Sequence, residues 1–230
     1  MSNAVNRQPP GQRPRRYDSS RRRAAAEETR TRILEAARRL FIADGYAVTT
    51  VAAIARQADV VPDTVYATVG RKAALFRALI ELALSGTGQP VPGAQRDYAE
   101  RVRAASDPHR KLAIYAEAVT AIQARLAPLF LVLREASAVD AELKALWDEI
   151  TRRRSDNMRA LAADLASTGD TRADLTVDEM ADVIWTMNSS EYYSLLVIDR
   201  GWSERRFCEW LLDSWSRLLL DQKAAGKSAD

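Results

Sequence analysis

The stretch that decides the fold lies between residues 31 and 85. Residues 31–41 read TRILEAARRLF and residues 49–72 read TTVAAIARQADVVPDTVYATVGRK. Apolar side chains recur there at three- and four-residue steps, which places them on one face of a helix. The pattern predicts helices over 24–44, 51–58, 62–68 and 71–85. The predicted core of this segment is Ile33, Phe41, Ile54, Ala55, Val65 and Leu75.

Glycine, threonine and proline mark the ends of these helices. Gly45 ends the first helix, Thr49 and Thr50 offer N-cap hydroxyls to the second, and Pro62 suits the first position of the third. The tight turn at 59–61 then joins two short helices. This arrangement is typical of a helix-turn-helix, whose second helix fits the major groove of DNA. The alternative is that the same helices pack as part of a bundle without touching DNA.

These residues resemble the N-terminal domain of the TetR family of transcriptional regulators. The resemblance rests on residues 31–41, on Gly45-Tyr46, on residues 49–55, and on Ala58, Val60, Thr64-Val65-Tyr66 and Lys72. It implies an all-α protein with an N-terminal three-helix DNA-binding domain and a C-terminal helical domain for ligand binding and dimerisation. The DNA-binding residues that it implies, together with the outward face of the recognition helix, are Thr49, Thr50, Val61, Pro62, Asp63, Thr64, Tyr66, Ala67, Thr68 and Lys72. For Tyr66, the alternative is a core aromatic.

Several positions depart from the family's pattern. Asp59 replaces the usual glycine of the turn, so a left-handed backbone is expected there, which aspartate tolerates better than most residues. Val61 replaces a serine and cannot cap the recognition helix. Asp63 brings a carboxylate to the DNA-facing surface, where phosphate repels it unless it accepts a hydrogen bond, for instance from cytosine N4. Thr68-Val69 replaces an aromatic pair. The operator sequence therefore cannot be predicted.

Positive charge is concentrated at the N-terminus. Residues 1–23 hold seven arginines and one aspartate, a net charge of +6, whereas the whole chain carries +3, so the remainder carries +3 minus +6, or −3. Residues 1–23 are therefore predicted to be a disordered basic arm, and such arms commonly bind polyanions. The alternative is a solvated leader without a role in DNA binding.

The sequence GTGQPVPG at residues 86–93 predicts a linker. It separates a DNA-binding domain over 24–85 from a helical domain over 94–222, with a flexible tail over 223–230. Within the second domain, we predict one helix from Pro108 to about 126 and a separate segment from Pro128. Further helices are predicted through Leu165, over 177–199, and from Ser203 to about 221.

The family resemblance implies a dimer interface and an effector pocket in this second domain. The last helix has two apolar faces, so we predict a core face and a partner face. The predicted interface residues are Phe207, Trp210, Leu211, Ser214, Trp215 and Leu218. The predicted pocket residues, for each of which ordinary core packing is the alternative, are Tyr115, Phe130, Arg134, Trp147, Met158, Trp185, Met187, Asn188 and Tyr192.

Composition restricts the chemistry. A single cysteine and a single histidine exclude an internal disulfide and a cysteine-based metal site, and no apolar run reaches about 18 residues, the length that a membrane span needs. We therefore predict a cytoplasmic, nucleoid-associated bacterial protein that is not an enzyme and has no cofactor. The predicted function is a homodimeric repressor of double-stranded operator DNA that is released by a small, mainly apolar effector. The alternatives are a helical small-molecule-binding protein without specific DNA binding, and a ligand-independent regulator or activator.

Overall fold

The computed structural model describes residues 19–86 and 91–221, and this part of the chain is helical without a β-strand. The first four helices are α1 (Ser19–Asp44), α2 (Val51–Gln57), α3 (Pro62–Thr68) and α4 (Lys72–Ser85). The six residues of the predicted core have no exposed surface. The all-α prediction and the N-terminal helix order are confirmed.

Helix α1 begins earlier than predicted. It starts at Ser19, so residues 19–23 belong to a helix and the prediction of a disordered arm over 1–23 is wrong for them. The cause is local, because the arginines and alanines that follow Ser19 are among the strongest helix formers. Residues 1–18 lie outside the described residues.

Between residues 91 and 221, the structure contains six more α-helices. A short 3₁₀ turn (Gly93–Gln95) leads into α5 (Asp97–Ala104), which was not predicted. Then follow α6 (Pro108–Ser137), α7 (Ala141–Ala166), α8 (Val177–Met187), α9 (Ser190–Tyr193), a π-helical turn (Ser194–Asp199) and α10 (Glu204–Leu219). Residues 87–90 of the predicted linker and 222–230 of the predicted tail lie outside the described residues.

Two helix predictions are wrong. Helix α6 continues through Pro128 instead of ending before it, because apolar residues on both sides of the proline, including Leu126 and Leu129, are buried in one core and hold the two halves in line. Conversely, the helix predicted over 177–199 is interrupted at Asn188. The backbone carbonyl of Asn188 accepts a hydrogen bond from the Gln123 side chain of α6 instead of from a backbone amide.

Helix α6 is the central element. It packs against α1 and α4 on one side and against α5, α7, α9 and α10 on the others. Its mean hydropathy reaches 1.5 over 18 residues, high enough for a membrane span, and half of that window is buried inside the protein. Such burial is typical of a core helix.

One hydrophobic core joins the two predicted domains. It contains Phe41, Ile54 and Phe76 of the N-terminal helices together with Phe130 of α6 and Leu146 of α7. Helices α1 and α4 thus pack on the adjacent ends of α6 and α7, and α2 and α3 pack on α1. A rearrangement of those ends would therefore reach the helix-turn-helix through α1 and α4.

Candidate DNA-binding surface and ligand pocket

The turn before α3 has the strained backbone that its sequence predicts. Asp59 has a φ of 55°, in the left-handed region. Val61 occupies the N-cap position without a capping side-chain hydrogen bond, and its side chain is 64% exposed. Helix α3 therefore depends on Pro62, which pre-sets the backbone of the first turn.

Helix α3 presents a small, mainly uncharged face to solvent. Val65 is fully buried and anchors the helix to the core. The opposite side carries Asp63, Tyr66 (50% exposed) and Ala67, flanked by the half-buried Thr64 and Thr68. The predicted recognition residues thus share one accessible surface, and Tyr66 is not a core aromatic.

The two threonines before α2 have different roles. The exposed Thr50 accepts a hydrogen bond from the amide of Ala53 at 3.1 Å and caps α2. Thr49 is 3% exposed and donates to the carbonyl of Gly45 at 2.8 Å. The prediction that Thr49 contacts DNA is therefore wrong, because its hydroxyl satisfies the carbonyl at the end of α1.

Lys72 holds the loop between α1 and α2. Its ammonium donates to the carbonyl oxygens of Tyr46 at 2.7 Å and Thr49 at 3.0 Å, and it lies 4.1 Å from the centre of the Tyr46 ring. Burial lowers the pKa of Lys72, while the carboxylate of Asp140 opposes that shift. A phosphate contact by Lys72 remains a prediction, and it would require the ammonium to exchange one of these bonds.

Residues 33–79, which include all of α2 and α3, match the family model described as bacterial regulatory proteins, tetR family. The N-terminal domain is thus similar to the DNA-binding domain of the TetR family. The predicted resemblance is confirmed, and this domain makes the chain a DNA-binding transcriptional regulator. A comparison with curated proteins found no match.

Solved TetR-like structures share the fold along most of the chain. NalD of Pseudomonas aeruginosa, the secondary repressor of the MexAB-OprM multidrug efflux pump, is 23% identical, with a TM-score of 0.65 over 86% of this chain and 99% of NalD. The fatty acid degradation regulator FadR of Bacillus halodurans is 18% identical, with a TM-score of 0.62 over 81% and 94% of the two chains. A putative transcriptional regulator of Saccharomonospora viridis, solved with choline, is 18% identical, with a TM-score of 0.64 over 85% and 99%. The helical domain behind the TetR-family domain therefore has the architecture of these regulators.

A cavity of about 120 Å³ lies between α6, α7 and the break after α8. Four predicted pocket residues line it, namely Tyr115, Phe130, Met158 and Asn188. Arg134, Trp147, Trp185 and Tyr192 instead line a neighbouring, more open depression, which shares Phe130 and Arg154 with the cavity. Met187 lines neither space. Its assignment to the pocket is wrong, because it is buried in the core that α8 shares with α6 and α10.

A hydrogen-bond network at the cavity wall centres on Asn188. Its side-chain amide donates to the Tyr115 hydroxyl at 2.6 Å, and its side-chain oxygen accepts from Arg154 Nε at 2.8 Å. Gln123 donates to the Asn188 carbonyl at 2.5 Å and accepts from the Ser190 hydroxyl at 2.8 Å. The interrupted helix is therefore stabilised by side chains from α6 and α7.

The charged wall of this cavity was not predicted from the sequence. Arg96, Arg153 and Arg154 line it, as does Gln123. A polar residue within the apolar run of α6 is a signal that could have pointed to Gln123. The consecutive arginines of α7 gave no such signal, because charged runs on a helix are usually solvated.

Half of the predicted interface residues on α10 face inward. Phe207, Leu211 and Trp215 have no exposed surface, so their assignment to a dimer interface is wrong. They pack against the other helices of the same subunit. Of the predicted set, Trp210, Ser214 and Leu218 remain partly exposed.

An exposed apolar face remains beside α10. Leu218 is 42% exposed, and Leu195 and Ile198 of the π-helical turn are 55% and 54% exposed. Trp210 stacks on Tyr192, with ring centres 5.8 Å apart, and meets Trp202 edge-on. Leu195, Ile198, Trp202, Trp210 and Leu218 are called the C-terminal face below.

Proposed function

We propose that this regulator is a homodimeric repressor whose α3 helices read a near-palindromic operator and whose central cavity binds a small effector. The observation that carries the proposal is the accessible face of α3 on a TetR-family domain whose core continues into α6 and α7. A ligand beside those helices can then alter the DNA-binding domain through direct packing.

The small side chains of α3 favour contacts to thymine methyl groups. Ala67 and the methyl groups of Thr64 and Val61 are apolar and short, which suits close approach to the major groove. Tyr66 and the N-terminus of α2, capped by Thr50, are placed to contact phosphates, which fix orientation without reading sequence. Asp63 then selects against bases that cannot donate a hydrogen bond.

The C-terminal face is proposed to bind a second copy of the chain. Exposed leucine, isoleucine and tryptophan side chains on one surface are typical of an interface. A two-fold arrangement would place two α3 helices on successive turns of the major groove. The solved structures of similar fold are named as regulators, one of them as a repressor and another in complex with choline. Those names support a repressor with a small-molecule effector. A cytoplasmic location is part of the proposal.

Selection of bound sequences from random duplex DNA, with the full-length protein at near-physiological salt, tests the DNA-binding part. We expect a near-palindrome of two half-sites. A well-folded dimer that enriches no sequence would contradict the proposal and would favour the alternative of a small-molecule-binding protein without specific DNA recognition.

Analytical ultracentrifugation tests the dimer part. The double variant Leu195→Asp with Ile198→Asp should sediment as a monomer at micromolar concentration and lose operator affinity. The matched control is Val139→Asp in the turn before α7, where valine is 84% exposed and lies outside the C-terminal face; this variant should remain a dimer. A dimeric Leu195/Ile198 variant would contradict the assigned interface.

A further inference from the structure

The wall of the cavity is positively charged. Arg96, Arg153 and Arg154 line the cavity, and no aspartate or glutamate among the described residues does. An adjoining cavity of about 200 Å³ shares Tyr98, Tyr115 and Met158 with it. That second space has one carboxylate, Asp164, whose charge is balanced by Lys111 at 2.7 Å. The net charge facing the joined space is therefore positive.

Arg154 of this wall bonds neutral groups, whereas Arg153 is paired with Glu81 and Glu149. Its guanidinium donates to the side-chain oxygen of Asn188 and to the carbonyl of Trp185, and it lies 4.0 Å from the centre of the Trp185 ring. These bonded partners are neutral, and Glu191, the carboxylate whose charge acts on Arg154, is paired with Arg134 at 2.6 Å and not with Arg154. A half-buried cation without a directly paired carboxylate is costly, because burial removes its hydration. An anion in the cavity would relieve that cost.

The remainder of the wall is apolar. Leu84, Ile122, Leu126, Phe130 and Ile150 lie along it, and they offer no partner to a polar ligand. A cavity of about 150 Å³ is large enough for benzene, so the body of a fitting ligand is compact. We propose that the effector is an organic anion, a carboxylate or a group of like charge on a compact apolar body, with its charge at Arg154 and Arg153. This inference rests on the proposed effector function of the cavity.

Arg153 links such an anion to the DNA-binding domain. Its guanidinium bonds the carboxylate of Glu81 on α4 at 2.7 Å and lies 3.7 Å from Glu149 on α7. An anion in the cavity competes with Glu81 for this guanidinium. The pair that ties α4 to α7 is then weakened when the effector is bound, which couples the charge of the ligand to the position of the helix-turn-helix.

Calorimetric titration of the full-length protein with matched probes tests the inference. The probes are benzoate, 3-phenylpropanoate and octanoate, each compared with its primary amide, which has the same shape and no charge. For at least one pair we expect the carboxylate to bind about ten-fold or more tightly than the amide. Equal affinities within every pair, or no binding of any probe at millimolar concentration, would overturn the inference.

The variant Asn188→Asp locates the charge. It is isosteric and supplies Arg154 with an internal carboxylate, so the preference for the carboxylate probe should fall to less than three-fold. Lys144→Gln is the control, since it changes the net charge by the same amount but removes an exposed ammonium that pairs with Asp148 at 2.5 Å and lines neither cavity. It should leave the preference unchanged. A preference that survives in Asn188→Asp would overturn the role of Arg154.

The same samples separate this inference from the proposed function. Operator selection and sedimentation need no ligand. If the protein selects a palindrome as a dimer but does not distinguish carboxylate from amide, only the anionic effector is wrong. If it distinguishes the probes but selects no DNA, the proposed function fails while the anion site stands.

Discussion

The ammonium of Lys72 bonds the loop between α1 and α2 to the start of α4. Hydrogen bonds from a charged donor contribute about 1.5–3 kcal/mol each when buried, and Lys72 is half-buried. We therefore expect Lys72→Met, which keeps the aliphatic stem over Tyr46, to lower the free energy of unfolding by about 2 kcal/mol. Urea unfolding measures this loss.

Arg71→Met is the matched control for Lys72. Arg71 precedes α4, is exposed and makes no capping side-chain bond, so its loss should leave stability within about 0.5 kcal/mol of the wild type. If both variants unfold at the same urea concentration as the wild type, the bonds of Lys72 to the loop do not contribute to stability.

At single positions, the sequence predicted which side chains are buried better than it predicted their hydrogen-bond partners. Ile33 and Val65 could be placed in the core because periodic apolar positions have one buried side. Thr49 and Thr50 could not be told apart, since either hydroxyl can cap α2 and only the path of the loop decides which one faces inward. The burial of Arg154 could not be predicted, because its neutral partners Asn188 and Trp185 lie more than 30 residues away.

The break after α8 shows how one element depends on side chains from others. In Asn188→Ala, Arg154 and Tyr115 each lose a buried partner, and an unsatisfied buried group costs about 1–3 kcal/mol, more when it is charged. We expect a loss of about 3 kcal/mol in chemical unfolding. Thr186→Ala, whose exposed hydroxyl bonds only its own helix at Asp182, is the control and should cost less than 1 kcal/mol. If both variants lose the same small amount of stability, the hydrogen bonds of Asn188 do not stabilise the interruption after α8.

Element ends were predictable where the chain itself supplies the cap. Thr176 and Glu179 form the capping box that begins α8, and Asp107 caps α6; both signals are local in sequence. The continuity of α6 through Pro128 and the interruption at Asn188 were not predictable. Tertiary packing decides both, and it overrides the local preference of proline to end a helix and of apolar residues to extend one.

Salt dependence tests the basic arm at the scale of the whole molecule. Each phosphate contact contributes a slope of about −0.9 to the logarithm of affinity against the logarithm of salt concentration. Deletion of residues 1–18, which removes four arginines and one aspartate and leaves α1 intact, should flatten that slope by about 2 or more. An unchanged slope would identify the segment as a leader without DNA contacts.

Acid should loosen the link between α4 and α7. Arg77 of α4 donates to Glu149 of α7 at 2.7 Å, and this bond lowers the pKa of Glu149. The stabilisation is therefore complete above the unfolded-state pKa of about 4.3 and is lost as pH falls through the lower folded-state pKa. Below about pH 4, wild-type unfolding should become more pH-dependent than that of Glu149→Gln. Parallel pH profiles would exclude a contribution from this pair.

Loss of an ion pair between α4 and α7 should weaken DNA binding in the same way as the bound effector. Glu81 is the α4 partner for which an anionic ligand would compete, and its carboxylate is mostly buried against Arg153. In Glu81→Gln the pair is broken without any ligand. Coupling between two sites of one protein commonly amounts to about 1–3 kcal/mol, or 5–150-fold in affinity. The Glu81–Arg153 pair is one of several contacts between α4 and α7, so its loss should account for only part of that coupling.

We therefore expect Glu81→Gln to bind the selected operator about 3–10-fold more weakly than the wild type, as measured by fluorescence anisotropy, with the dimer intact. Lys144→Gln is the control, since it breaks an ion pair with Asp148 that stays within α7. It should bind DNA like the wild type. Because coupling is reciprocal, Glu81→Gln should also bind the tightest carboxylate probe more tightly. Weaker DNA binding without that gain would mean that Glu81 supports the fold of α4 but does not transmit the ligand's charge.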